Sequence, residues 1–247
     1  MFRALLPAMP LHVFSRLLFV SLCCTAFNSC ANAEIALDAG HSLSDGGALS
    51  ARGREEFFFN QDFAHLLAMR LESDGQAVRR INFDGAISGL HQRPKLAAGS
   101  DFFLSIHHDS ISEKHLLTWE WEGVERTYTD VKRGFGLFVS SKNPDLARSL
   151  RCASALGAAL RAADFTPTPW HGRKHLPADA DNGVWYYDNL VVLYRTALPA
   201  VLFEAGVIKH QEEELELRDP ERQSRMADAL VRGFRQCLPP TEKPAPA

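Results

Sequence analysis

The chain has 247 residues, 46% of them hydrophobic, with 27 basic and 30 acidic side chains and a formal charge of −3. Nothing in that balance points to a protein held to nucleic acid by a strongly basic surface. The length suits one well-packed domain rather than two.

Arg3 and Arg16 lead into an apolar run over 17–27. The run is shorter than the roughly 20 residues a membrane span needs, and Ala31-Asn32-Ala33 offers the small residues that signal peptidase reads. We expect a signal peptide over 1–33, cleaved after Ala33, and a periplasmic or secreted mature chain with no membrane span. The alternative, a lipid on Cys30, is poorly served by Phe27-Asn28-Ser29 in front of it. One domain is expected over 34–238. The Pro-rich tail over 239–247 cannot bury apolar surface and is expected to be disordered. Of the five cysteines, Cys152 and Cys237 lie beyond the leader on amphipathic helical patterns, and the sequence leaves open whether they are bonded or simply buried.

Strand-like runs alternate with helical periodicity, the pattern of an α/β fold. Strands are expected at 34–38, 76–81, 101–106, 135–140 and 199–203, and helices at 55–73, 89–98, 144–163 and 220–237. The implied architecture is a single-domain, open, twisted sheet, mixed or mostly parallel, with helices on both faces. Pro144 is placed at a helix start, where its missing N–H costs nothing. The segments 110–134 and 166–183 fit neither period and read as long loops, the first carrying Trp119 and Trp121.

Four short motifs fall where strands end or a helix begins, the place where open α/β sheets hold their ligands. They are Asp38-Ala39-Gly40-His41, Glu56, Ser105-Ile106-His107-His108-Asp109 and Phe203-Glu204-Ala205-Gly206. A lone histidine at a strand end is usually just hydrogen-bonded, and a carboxylate in a first helical turn usually answers the helix dipole. A glutamate after a buried strand is harder to dismiss, because burying an unpaired charge is expensive. Together, two imidazoles and one carboxylate form the donor set of a hydrolytic zinc site, which leaves a coordination position open for water. On the helical wheel the apolar stripe Phe59, Phe63, Leu66, Leu67 and Leu71 centres close to Glu56 and far from Glu55, so Glu56 is the inward carboxylate. Strand alternation puts His107 and His108 on opposite faces without saying which face holds the metal.

These residues resemble a family. Leu37-Asp38-Ala39-Gly40-His41, Gly53 three residues before Glu56, Asn60, Gly75, Leu90, Arg93, Ser105 to Asp109 and Pro199 to Gly206 follow, in order, the motifs of the zinc-dependent N-acetylmuramoyl-L-alanine amidases of the AmiC and CwlV type, amidase type 3. The resemblance implies an amidase catalytic domain over 34–238 with one Zn²⁺ per chain, held by His41, Glu56 and His107, and Glu204 as the catalytic carboxylate. It makes His108 a neighbour, occupying the family's small residue. It implies peptidoglycan as substrate, cleaved between N-acetylmuramic acid and L-alanine, with an activator protein as a candidate partner. The sequence departs from the family pattern at Ser42-Leu43-Ser44, at Phe57, at Val207 and in the Trp-bearing segment after Asp109. His108 and Arg93 are candidates to assist the reaction, Arg93 being otherwise a structural partner for an acidic neighbour under the third strand. Rival readings are a zinc exopeptidase, which would show further carboxylate ligands for a second metal, and a silent wall-binding protein, against which Glu204 speaks. A metal at His171 and His175 is disfavoured, because Pro167, Pro169, Gly172 and Pro177 oppose a regular helix there.

Overall fold

The structure, a computed structural model, describes residues 1, 30–31, 33–238 and 241–242. The expected leader and tail therefore fall largely outside the described residues. Among the described residues no helix is long and apolar enough to cross a membrane.

Seven strands form the main sheet: β1 (Glu34–Ala39), β2 (Ala77–Ile81), β3 (Phe102–Asp109), β6 (Gly136–Val139), β7 (Pro177–Asp179), β8 (Val184–Tyr186) and β9 (Ala200–Val207). A separate antiparallel hairpin consists of β4 (Leu117–Trp121) and β5 (Val124–Tyr128). The order across the main sheet is β2-β1-β3-β9-β6-β8-β7. The pairs β1/β2, β1/β3, β3/β9 and β6/β8 are parallel, while β9/β6 and β7/β8 are antiparallel. The sheet is therefore mixed, as the sequence pattern allowed, and its central strands β1, β3 and β9 are near-continuous apolar runs because both faces are covered.

Three long helices cover one face: α1 (Glu56–Ser73), α3 (Leu146–Arg161) and α6 (Pro220–Cys237). They bury Phe63, Leu67, Leu156, Leu230 and Phe234 against Ile35, Leu37, Phe102, Leu104 and Phe203 of the strands. Each such side chain contributes on the order of 1.5–3 kcal/mol by leaving water. The alternate strand positions Ala36, Phe103, Phe138 and Leu202 point the other way, into a smaller core closed by Val192 and Leu193 of the short helix α4 (Val191–Tyr194). Two further short helices are α2 (Gln92–Leu96) and α5 (Glu213–Arg218). Helices do lie on both faces, but unequally.

Helix starts follow local chemistry. Asp219 caps α6 by accepting from the Arg222 N–H, with Pro220 as the first helical residue. Asp145 caps α3 in the same way through the Arg148 N–H, so that helix begins two residues after Pro144 rather than at it. Cys152 and Cys237 are joined by a disulfide that ties the middle of α3 to the end of α6.

The reading of 110–134 as a loop is corrected. Leu117 to Trp121 alternates, and Glu122 and Gly123 both adopt positive φ (53° and 74°), the backbone of a tight two-residue hairpin turn. Segment 166–183 is mostly irregular, with two 3₁₀ turns and the three-residue strand β7. Strand β8 and helices α4 and α5 were not foreseen.

Candidate metal centre and its surroundings

The site begins where β1 ends. Gly40 donates its N–H to the Ile106 carbonyl (2.9 Å), and His41 follows with φ of 64°, a left-handed conformation that a residue with a Cβ adopts only at a cost. Two buried side chains hold that turn. The Asn82 amide donates to the Ala39 and His41 carbonyls (2.7 Å each). The guanidinium of Arg93, 1% exposed, donates to the Ala39 carbonyl (2.6 Å), the Ile87 carbonyl (2.8 Å) and the His41 carbonyl, and pairs with Asp38 at 2.9 Å. Asp38 also accepts from the Ser105 hydroxyl at 2.7 Å. Burial pushes the Asp38 carboxyl up, against the opposing pull of Arg93 and Ser105. Arg93 is thus the structural partner of an acidic neighbour and the brace of the histidine turn.

Glu56, the first residue of α1, is buried and receives both histidines. His41 Nε2 lies 3.1 Å from one carboxylate oxygen, and His107 Nδ1 lies 3.0 Å from the other. The Ala48 and His108 N–H groups and the Asn60 amide also reach it, at 3.3 to 3.4 Å. Burial pushes the Glu56 carboxyl up, but the hydrogen bonds from His107 and His41 outweigh it and hold it below the usual carboxylate range. The ligand atoms of His41, Glu56 and His107 all lie within 4.8 Å of one another, and theirs is the one such His/Cys/Asp/Glu group found among the described residues. Two imidazoles and a carboxylate converging in this way fit a zinc ion with a position left for water.

Backbone packing keeps the group compact. A Cβ on Gly40 would sit 2.3 Å from His107 Nε2, and a Cβ on Gly47 would sit 2.7 Å from the His41 ring. Alternation along β3 sends His108 the other way. It is buried, it donates from Nδ1 to the Asn60 side-chain oxygen (2.8 Å), and it packs against Phe59 and Phe63. Burial pushes its pKa down to about 3.

Glu204 lies in β9 beside His107 and opposite Gly136, outside the donor group. Its Oε2 is buried with no hydrogen-bond partner among the described residues. Burial, then the nearby carboxylates Asp109 and Glu56, hold its carboxyl well above the usual range, with Lys132 opposing.

Three neighbours were not recognised from sequence. Asp109 pairs with Lys132 at 2.5 Å and lies 3.3 Å from His171 Nε2. His171 is buried against Phe138, and burial, then Lys132, push its pKa down to about 3, so it is neutral. His171 and His175 stand in the irregular segment expected for them, yet both line the cavity that Glu204 also lines. Their spacing was visible in the sequence. The signal that was missing is the placement of β6 beside β9, which brings this segment to Glu204.

Residues 35–236 match the family described as N-acetylmuramoyl-L-alanine amidase. Solved structures share the fold. The Ami1 amidase of Mycobacterium smegmatis is 21% identical, with a TM-score of 0.68 over 85% of this chain and 98% of that one. The catalytic domain of CwlV from Bacillus (Paenibacillus) polymyxa is 24% identical, with a TM-score of 0.62 over 85% and 99%. The CwlD amidase of Clostridioides difficile, solved in complex with the GerS lipoprotein, is 21% identical, with a TM-score of 0.61 over 84% and 98%. No curated protein matches the chain. With the family spanning nearly the whole described chain, the exopeptidase and silent-binder readings fall away, and the chain belongs to the N-acetylmuramoyl-L-alanine amidases, hydrolases of the amide between N-acetylmuramic acid and L-alanine in cell-wall peptidoglycan.

Proposed function

We propose that this amidase is zinc-dependent, with His41, Glu56 and His107 as the ligands of one Zn²⁺ and Glu204 as the general base. The observation that carries the reading is a division of labour within one site. Three donor atoms converge, and a second carboxylate beside them, that of Glu204, keeps one oxygen buried with no hydrogen-bond partner among the described residues.

Zinc bound there supplies Lewis-acid polarisation of the scissile carbonyl and makes water acidic enough, at a pKa of about 7, to attack near neutral pH. The chain's own residues do the rest. Glu204 Oε2, which has no hydrogen-bond partner among the described residues, is available to take a proton from the attacking water and to return it to the leaving alanine nitrogen. Asn60 and the Ala48 N–H fix the Glu56 carboxylate, while Arg93 and Asn82 fix the His41 turn, so neither ligand must be ordered during turnover.

We also infer that residues 1–33 are a leader removed after Ala33, that 34–238 is the catalytic domain with 239–247 a tail, and that the enzyme acts outside the cytoplasmic membrane, in the periplasm or after secretion. Peptidoglycan lies there, and the family's reaction needs access to it. An activator protein is a reasonable partner, given that the CwlD relative is found with a lipoprotein. The test is to measure zinc in the purified protein and peptide release from purified sacculi by mass spectrometry. One equivalent of zinc with release of peptides bearing a free L-alanine amine supports the reading. Absence of zinc from active protein overturns it.

A further inference from the structure

Two cavities flank the metal group, and they differ in charge. One, of about 400 Å³, is lined by His41 and His107 together with Leu90, Val192 and Leu202, and its carboxylates are Asp38 and Asp45. Its single cation, Arg93, is already consumed by Asp38 and three carbonyls. The other, of about 610 Å³, opens at Glu204 and holds Lys114, Lys132, Arg173 and Lys174. Lys132 is consumed by Asp109. Lys114, Arg173 and Lys174 have no ion-pair partner among the described residues.

Arg173 is also held in place. Its guanidinium lies 3.8 Å from the centre of the Trp170 ring, and Trp170 is anchored in turn by its indole N–H to the Val131 carbonyl (2.7 Å) and by the edge of His115. A stacked guanidinium loses little freedom when it binds an anion, because the ring has already restricted it. In a chain of net negative charge, such a concentration of unpaired cations around one cavity calls for an anionic ligand.

We propose that this cavity takes the peptide side of the substrate and grips one of its carboxylates through Arg173, supported by Lys174 and Lys114, so that the enzyme prefers stem peptides with free carboxyls over amidated ones. The inference rests on the amidase reading above. It follows from where the reaction happens. Glu204 must reach the nitrogen that departs with the peptide, so the peptide extends from Glu204 into the cavity that Glu204 lines. The N-acetylmuramic acid side is then left to the smaller, cation-poor cavity beside His41.

Binding of the tripeptide L-alanyl-γ-D-glutamyl-L-lysine to the purified protein, by calorimetry, tests this without requiring turnover. The free-carboxyl form should bind about ten-fold more tightly than the fully amidated form, the difference expected of a charge-assisted hydrogen bond in a partly enclosed site. In Arg173→Gln/Lys174→Gln that ratio should shrink toward one. Both positions are exposed, so an unchanged melting temperature will show that the fold survives. Equal binding of the two peptides by the native protein, or an unchanged ratio in the double variant, overturns the proposal. The matching pair of muramoyl peptides, assayed for cleavage, separates the two claims. Selective binding without cleavage of either would sink the catalytic reading and leave the carboxylate site standing, whereas cleavage of both with equal efficiency would sink the site alone.

Discussion

Glu204 and His107 are partners across the parallel pair β9 and β3, so a continuous hydrogen-bonded ladder sets the spacing between the proposed base and one proposed ligand. Neither residue depends on a loop for its position. Replacing Glu204 by Gln keeps the shape of the side chain and removes only its ability to accept the proton. We expect the variant to fold, to retain zinc and to lose about 100-fold or more in peptide release from sacculi. Because burial already disfavours the charged form of Glu204, its melting temperature should not fall. Undiminished release would remove Glu204 from the mechanism.

The two adjacent histidines should separate cleanly. His107→Ala is expected to lose stoichiometric zinc, measured by atomic absorption. His108→Ala should instead leave the Asn60 side-chain oxygen without its donor and a gap against Phe59 and Phe63, at a cost of about 2–4 kcal/mol in urea unfolding. Zinc retained in His107→Ala and lost in His108→Ala would exchange the two roles.

Arg93→Met removes the guanidinium from a buried pair and strands the Asp38 carboxylate. Removing one partner of such a pair costs about 3–5 kcal/mol. Arg93→Lys should rescue little, since one ammonium cannot serve the fork of acceptors on Asp38, Ala39, His41 and Ile87. The check is urea unfolding of both variants. If Lys restores native stability, the fork is not what holds the turn.

His171 should make the fold sensitive to acid. Its pKa of about 3 in the folded chain lies below the ordinary 6.5, so between those values the unfolded chain binds a proton that the folded chain does not. Stability from the neutral imidazole is therefore complete above about 6.5 and lost as the pH falls toward 3. Between pH 7 and pH 5 that loss amounts to about 1–2 kcal/mol. His171→Phe should reduce the slope of this part of the urea midpoint profile, leaving the share that His108 contributes in the same window, and a slope unchanged by the substitution would show that His171 does not contribute to it.

Much of this was legible in the sequence, because the carriers are periodic or punctuated. The stripe on α1 singled out Glu56 over Glu55, and the apolar runs placed β1, β3 and β9 to within a few residues. Alternation separated His107 from His108, but the choice of face came from the family resemblance, and in the structure from α1 packing over His108. Strand β8, with three residues, is too short to show a period. The β4/β5 hairpin did alternate, but its Glu122-Gly123 turn lacks the Asn-Gly or Asp-Gly signature that would have announced it. The roles of Asp109, Lys132 and His171 depend on which strand lies next to β9, and no local pattern encodes that.

The space that Gly40 leaves for the His107 ring binds two distant stretches of chain into a single heritable unit. An alanine at position 40 could be tolerated only if the imidazole moved or vanished, and a displaced imidazole would no longer meet Glu56. Neither change is harmless by itself, so single substitutions offer the first motif no gradual path away from its glycine while the histidine stays. A library that randomises position 40 and selects for peptide release should return glycine alone. Where another residue survives, a compensating change should be sought in the strand that carries His107, and not in the turn itself.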